Sequence, residues 1–206
     1  LAQRFQDAVK DSRVLTARKI SRDLTAIHPY NTNLVWNSGK VLVASFTRTY
    51  DYPEHVGKLY TNIFADAWVT AVPDLKNYLK HYKGTNYLLR VKQALGMPAT
   101  VKNDMIAEFW VDPHLLFRPS PDPEITDREA QLDFSYTNSA YLTVSQQHVG
   151  WFENQVVANA WPWTRLGYTY DWGNSRCRVG PSEFVIPQGS VFIVHSITDV
   201  QSYLER

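Results

Sequence analysis

The chain has 206 residues, 44% of them hydrophobic and 20% charged. That balance excludes a wholly disordered or collagen-like protein, and a chain of this length buries about 70% of its unfolded surface without disulfide or metal staples. The net charge of +1 conceals a split, with 15 Lys and Arg against 7 Asp and Glu in residues 1–103 but 6 against 13 in residues 104–206, which reads as two layers with complementary fields rather than a nucleic-acid face.

Apolar residues recur at three-to-five spacing through residues 2–27, which predicts N-terminal helices, with Asp11-Ser12 as an internal cap. Residues 40–50 (KVLVASFTRTY) are β-branched and aromatic, as a strand should be, with residues 33–36 as a hairpin partner across Asn37-Ser38-Gly39. A strand follows over residues 66–72, then a helix over 74–83 with Pro73 at its start, and another over 87–95 ended by Gly96. Residues 105–111 (MIAEFWV) read as a strand, and the three prolines in residues 117–125 demand an extended loop. A short strand over 140–144 leads to Ser145, which has the character of an N-cap for a helix over 146–160. Residues 183–186 and 190–197, joined by Pro187-Gln188-Gly189, read as a hairpin. Helices come early and strands dominate late, so the expectation is α+β: a single domain with a helical extension over residues 1–30, a mixed or antiparallel β core, and residues 104–206 as the candidate catalytic half.

Several function classes lack their signatures. Dinucleotide-binding and phosphate-loop glycine patterns, the Gly-x-Ser-x-Gly elbow, His-Glu-x-x-His and Cys-x-x-Cys are all missing. Cys177 alone cannot make an internal disulfide. The six histidines are dispersed, so no metal is expected. Apolar stretches fall short of about 18 residues, so no membrane span is expected either. The chain starts at Leu1 with no Met and no apolar leader; the reading leans to a secreted mature chain, a trimmed one being the alternative.

Four segments carry candidate chemistry. In residues 115–125, Arg118 either pairs with a local acid or forks onto a phosphate or carboxylate. The acidic set Asp122, Glu124, Asp127, Glu129 and Asp133 has enough oxygens for Ca²⁺ but no EF-hand spacing, and a solvated face is the commoner reading. Residues 161–172 (WPWTRLGYTYDW) are dense in aromatic rings; they serve as core, or else offer stacking walls in Tyr168, Tyr170 and Trp172 with Arg165 for an anionic group. Finally, Glu183 is a carboxylate opening an otherwise apolar strand, either exposed at an edge or aimed into a cleft.

Three of these segments together resemble the ordered signature of the ADP-ribosyltransferase superfamily, which includes NAD glycohydrolases. Leu116-Phe117-Arg118 resembles its first element, Tyr141-Leu142-Thr143-Val144-Ser145 with the following helix its second, and residues 183–194 (EFVIPQGSVFIV) its third. The resemblance implies an NAD-consuming, secreted, toxin-like enzyme with NAD as substrate and Glu183, Arg118 and Ser145 as its catalytic set. Glu183 would stabilise an oxocarbenium-like state as the nicotinamide–ribose bond breaks. Arg118 would hold the pyrophosphate or the adenine ribose, Thr143 or Ser145 would orient Glu183, and Tyr168, Tyr170 or Trp172 would stack on nicotinamide. Pro181 stands where transferases acting on arginine-like acceptors carry Glu or Gln, which favours water or another acceptor, a protein among them. Residues 161–172 are also similar to uncharacterised secreted microbial proteins. The rival expectations are a non-enzymatic module binding carbohydrate or protein through its Trp/Tyr surface, and a two-carboxylate glycosidase pairing Glu108 with Asp122 or Asp171.

Overall fold

A computed structural model describes residues 1–48, 52–134 and 144–205. The chain folds as one α+β domain, as its pattern predicts. Strands β1 (Trp36–Asn37), β2 (Lys40–Thr47), β3 (Leu59–Thr61), β4 (Ala67–Ala71), β5 (Met105–Val111), β8 (Phe184–Ile186) and β9 (Val191–Asp199) build a seven-stranded sheet in the order β3-β9-β5-β2-β4-β8, with β1 paired to β2. Every pairing is antiparallel. Strands β6 (Tyr168–Tyr170) and β7 (Val179–Ser182) form a separate ladder.

The strands that read as continuous apolar runs are those covered on both faces, which removes the usual alternation. On one face Val41 and Val43 of β2 meet Ala107, Phe109 and Val111 of β5 and Phe192 and Val194 of β9. On the other, Leu42, Ala44 and Phe46 lie under three helices: α2 (Asp74–Leu79), α3 (Tyr87–Ala94) and α5 (Val200–Glu205). Helix α4 (Gln146–Ala158) starts at Ser145, whose hydroxyl accepts the backbone N–H of His148 as its sequence position predicts.

Two expectations are overturned. Only residues 2–12 are helical at the N-terminus (α1, Ala2–Ser12), followed by a 3₁₀ turn at Ala17–Lys19. Leu24 and Ile27, which fit a helical stripe by spacing, lie in extended chain whose backbone N–H groups donate to the carbonyls of Arg128 and Ile125. Pairing with a distant segment wins over local periodicity. The hairpin across Pro187-Gln188-Gly189 is also absent: β8 pairs with β4 at one edge of the sheet, whereas β9 lies between β3 and β5. Between them Gly189 donates its N–H to Asn62 and Ser190 accepts that of Asn62, while Gln188 donates to Asp66, so the turn is fastened to the β3–β4 connection. The strand expected over residues 140–144 falls almost entirely outside the described residues.

Candidate functional site

Strands β2 and β4 pair only at Val43↔Ala71 and Ala44↔Thr70. Beyond that point β2 continues along β5 while β4 continues along β8, so the two diverge. A cleft of about 790 Å³ opens in this fork, lined by residues 44–46 of β2 and 67–70 of β4. Ser45 spans the fork by donating to the Trp68 carbonyl at 3.1 Å. The remaining walls come from the β3–β4 connection, the turn after α3, and residues 155–163 and 169–170.

Glu183 stands on the cleft wall in the single-residue joint between β7 and β8, with its N–H donated to the Gly167 carbonyl at 3.0 Å. It comes one residue beyond the Val69↔Phe184 pair, beside Thr70 on the facing strand. The residue is 6% exposed. Burial pushes its carboxyl up to about 8, outweighing the Trp163 indole N–H that faces it and favours the ionised form. That approach falls short of a well-formed hydrogen bond, because Glu183 Oε1 and Trp163 Nε1 both lack a partner among the described residues.

They are not alone. Among the described residues, seven buried side-chain polar atoms lack a hydrogen-bond partner, and four belong to residues of this cleft: Glu183 Oε1, Trp163 Nε1, Thr70 Oγ1 and Asn62 Nδ2. Each such atom costs about 1–3 kcal/mol. Buried polar groups are ordinarily hydrogen-bonded to protein or water, so the concentration of these atoms around one cavity marks it out. Trp68 and Trp163 meet edge to face, 5.8 Å apart at 90°, and make an aromatic corner in the same wall. Asp66 is a second carboxylate there, yet both its oxygens are taken, one by Trp151 Nε1 at 2.6 Å and the other by the Gln188 N–H at 2.8 Å.

The residues singled out in the sequence divide sharply. Glu183 and Tyr170 reach the cleft, and Thr169, Trp161, Pro162 and Trp163 from the same aromatic segment join them. Arg118 does not. It is fully buried, donating to the carbonyls of Glu129, Asp127 and Thr25 and pairing with the Asp127 carboxylate at 3.0 Å. Its fork therefore holds three stretches of its own chain together, and the local-pairing alternative describes it. Ser145 is engaged as the α4 cap and does not line the cleft. Thr143 lies outside the described residues.

The same segment also fastens the N-terminal part of the chain. Tyr168 donates to the Lys19 carbonyl at 2.8 Å, Tyr170 to Asp11 Oδ2 at 2.7 Å, and Arg165 to the Arg13 carbonyl at 2.7 Å. Trp172 is buried, donates to the Met97 carbonyl, and meets Phe5 of α1 edge to face. The acids proposed for a two-carboxylate glycosidase are likewise engaged outside the cleft. Glu108 accepts from Ser196, Asp171 from Arg90 and Tyr78, and Asp122 from the Glu124 N–H. Of the acidic set, Asp122, Glu124 and Asp127 each place an oxygen within 4.8 Å of the others, but Arg118 already supplies positive charge to that group.

Glu183 was legible as a carboxylate intruding on an apolar run. Asn62, Trp68 and Thr70 were missed, since nothing local marks a strand or connection residue that faces a fork. No protein-family model, curated protein or solved structure matches this chain. Among the described residues, no helix is long and apolar enough to cross a membrane.

Proposed function

We propose that the forked-sheet cleft binds a ring-bearing small molecule and that Glu183 is its chemical centre, acting on a ribosyl or glycosyl bond, with NAD⁺ the first substrate to test. The observation that carries this is the buried carboxyl without a partner in an aromatic-walled cavity of about 790 Å³, the size of an ordinary small-molecule site. In this reading Trp68, Trp163 and Tyr170 hold the ring. As the nicotinamide–ribose bond breaks, its electron pair leaves with the nicotinamide nitrogen and the ribose becomes an oxocarbenium-like cation, which ionised Glu183 stabilises until water adds and gives up a proton. Arg118 is committed to its own chain, and among the described residues Arg48 is the arginine that lines the cleft.

The test is incubation of the purified protein with NAD⁺, following free nicotinamide by chromatography. Turnover that Glu183→Gln lowers at least a hundredfold, with the fold retained, supports the enzymatic reading; unchanged turnover in that variant removes it. A second reading, ligand binding without turnover, is favoured by one observation. Asp66 has both oxygens occupied, which leaves Glu183 without a free carboxylate partner among the described cleft residues. Tryptophan fluorescence that responds to saccharides while no nicotinamide is released would support it.

A further inference from the structure

The ligand's charge is written into the same cleft. Resting on the reading of the fork as a small-molecule site, we propose that it selects organic cations whose nitrogen is fully alkylated, a flat pyridinium or a rounded quaternary ammonium, over neutral molecules of the same shape.

Three features converge on that chemistry. The first is the missing counter-charge. Buried carboxylates ordinarily sit beside a basic group, but among the described residues no basic side chain is near enough to favour the ionised form of Glu183, and the Trp163 indole is the one group that does. The second is the wall beside it. Trp68 and Trp163, perpendicular at 5.8 Å, make an aromatic corner, and Tyr52, Tyr60 and Tyr170 line the same cavity. Aromatic faces attract cations without needing N–H donors from them, so alkylated nitrogens are the natural guests. The third is volume. At about 790 Å³ the cavity is far larger than a bare metal ion, and among the described residues the three acids whose oxygens gather, Asp122, Glu124 and Asp127, lie outside it.

Among the described residues, the charged and titratable groups lining the cavity are Glu183 from the β7–β8 joint, Asp66 from the β3–β4 connection, Arg48 beyond β2, and Tyr52, Tyr60 and Tyr170, and Tyr168 stands near enough to Glu183 to feel its charge. Both oxygens of Asp66 are already held, so Glu183 is the carboxylate left to face a guest. Ionising it adds one negative charge to this wall, and protonating it removes that charge. A cation therefore has to displace the Glu183 proton as it binds, whereas a neutral guest does not. Since burial holds that proton to about pH 8, cation affinity should rise about tenfold per pH unit up to that point and then level off.

The experiment titrates the whole protein with two matched pairs, choline against 3,3-dimethylbutan-1-ol and N1-methylnicotinamide against nicotinamide, at pH 6, 7, 8 and 9. Tryptophan fluorescence and calorimetry in buffers of different ionisation enthalpy are the readouts. The expected result is at least a tenfold preference for each cation at pH 8, release of about one proton on cation binding at pH 6–7, and loss of both in Glu183→Gln. If that variant fails to fold, the buffer-dependent proton release of the unaltered protein carries the same test. Equal binding of cation and neutral partner, or binding without proton release at pH 6–7, overturns the inference while leaving the cleft a small-molecule site. No response to any of the four overturns the inference and, if saccharides and NAD⁺ also fail to bind, the site reading with it.

Discussion

A carboxyl that keeps its proton to about pH 8 makes the folded chain a better proton acceptor than the unfolded one. Glu183 rises from an ordinary value of 4.5 to about 8, so its contribution to stability is complete below about pH 4.5 and is lost as the pH climbs through 8. Asp74 and Asp127, each pushed up to about 6 mainly by burial, act in the same direction but have finished titrating by pH 7. Burial lowers His148, which acts oppositely. Stability from urea unfolding should therefore fall between pH 7 and 8, by up to about 1.4 kcal/mol per pH unit, and Glu183→Gln should flatten the pH dependence from about pH 4.5 to 8 while leaving the trend below pH 4.5 nearly unchanged. Arg118 tests a different kind of burial. Its planar fork reaches three carbonyls and a carboxylate that one ammonium cannot span. Arg118→Lys should consequently lose about 3 kcal/mol or more in denaturant unfolding, with unfolding accounting for any lost activity. A folded, fully stable but inactive Arg118→Lys would return Arg118 to the chemistry.

The element whose role changes most between sequence and structure is residues 161–172. One side of it reaches the cleft through Trp163 and Tyr170, and the other ties down residues 11–19 through Tyr168, Tyr170 and Arg165. Tyr168→Phe and Arg165→Ala should each cost about 1 kcal/mol and, more tellingly, raise amide exchange and protease nicking within residues 13–20, with the central strands unaffected. Uniform loosening of the whole domain would contradict that assignment. How far the chain could be read locally follows from where its hydrogen bonds go. Strands β2 and β5 are legible because burial on both faces writes itself as an unbroken apolar run, and α4 is legible from Ser145 and the stripe behind it. Residues 14–27 are not, since a three-to-five spacing of apolar side chains suits a helix and an irregular extended segment alike, and the deciding partners, Arg128 and Ile125, lie about a hundred residues away. The cleft fails for the same reason. Glu183 is conspicuous in its own segment, but Asn62, Thr70 and Trp163 become neighbours of it only through the parting of β2 and β4.

At the scale of the molecule, the sheet is assembled out of sequence order. Neighbouring strands β5 and β9 are drawn from opposite sides of residues 112–190, and β3 has β9 as its partner. Helices α2, α3 and α5 cover one face of this sheet, and the cleft sits where the sheet is least continuous, between two strands that share two residue pairs and then part. Binding there need not open the core, because β2 and β4 are each held on their other side by β5 and β8.

The place of β9 also orders events in time. A chain emerging from its N-terminal end can pair β2 with β4 and β5 early, but β3 waits without a neighbour until residues 191–199 slot between it and β5. The last wall of the cleft to arrive is Glu183, eight residues before that strand begins. Such long-range closure slows folding, and it leaves two strand edges exposed to other chains in the interval. The polypeptide thus completes its sheet and acquires its buried cleft carboxyl within one stretch of synthesis, so a product cut short before that stretch lacks both.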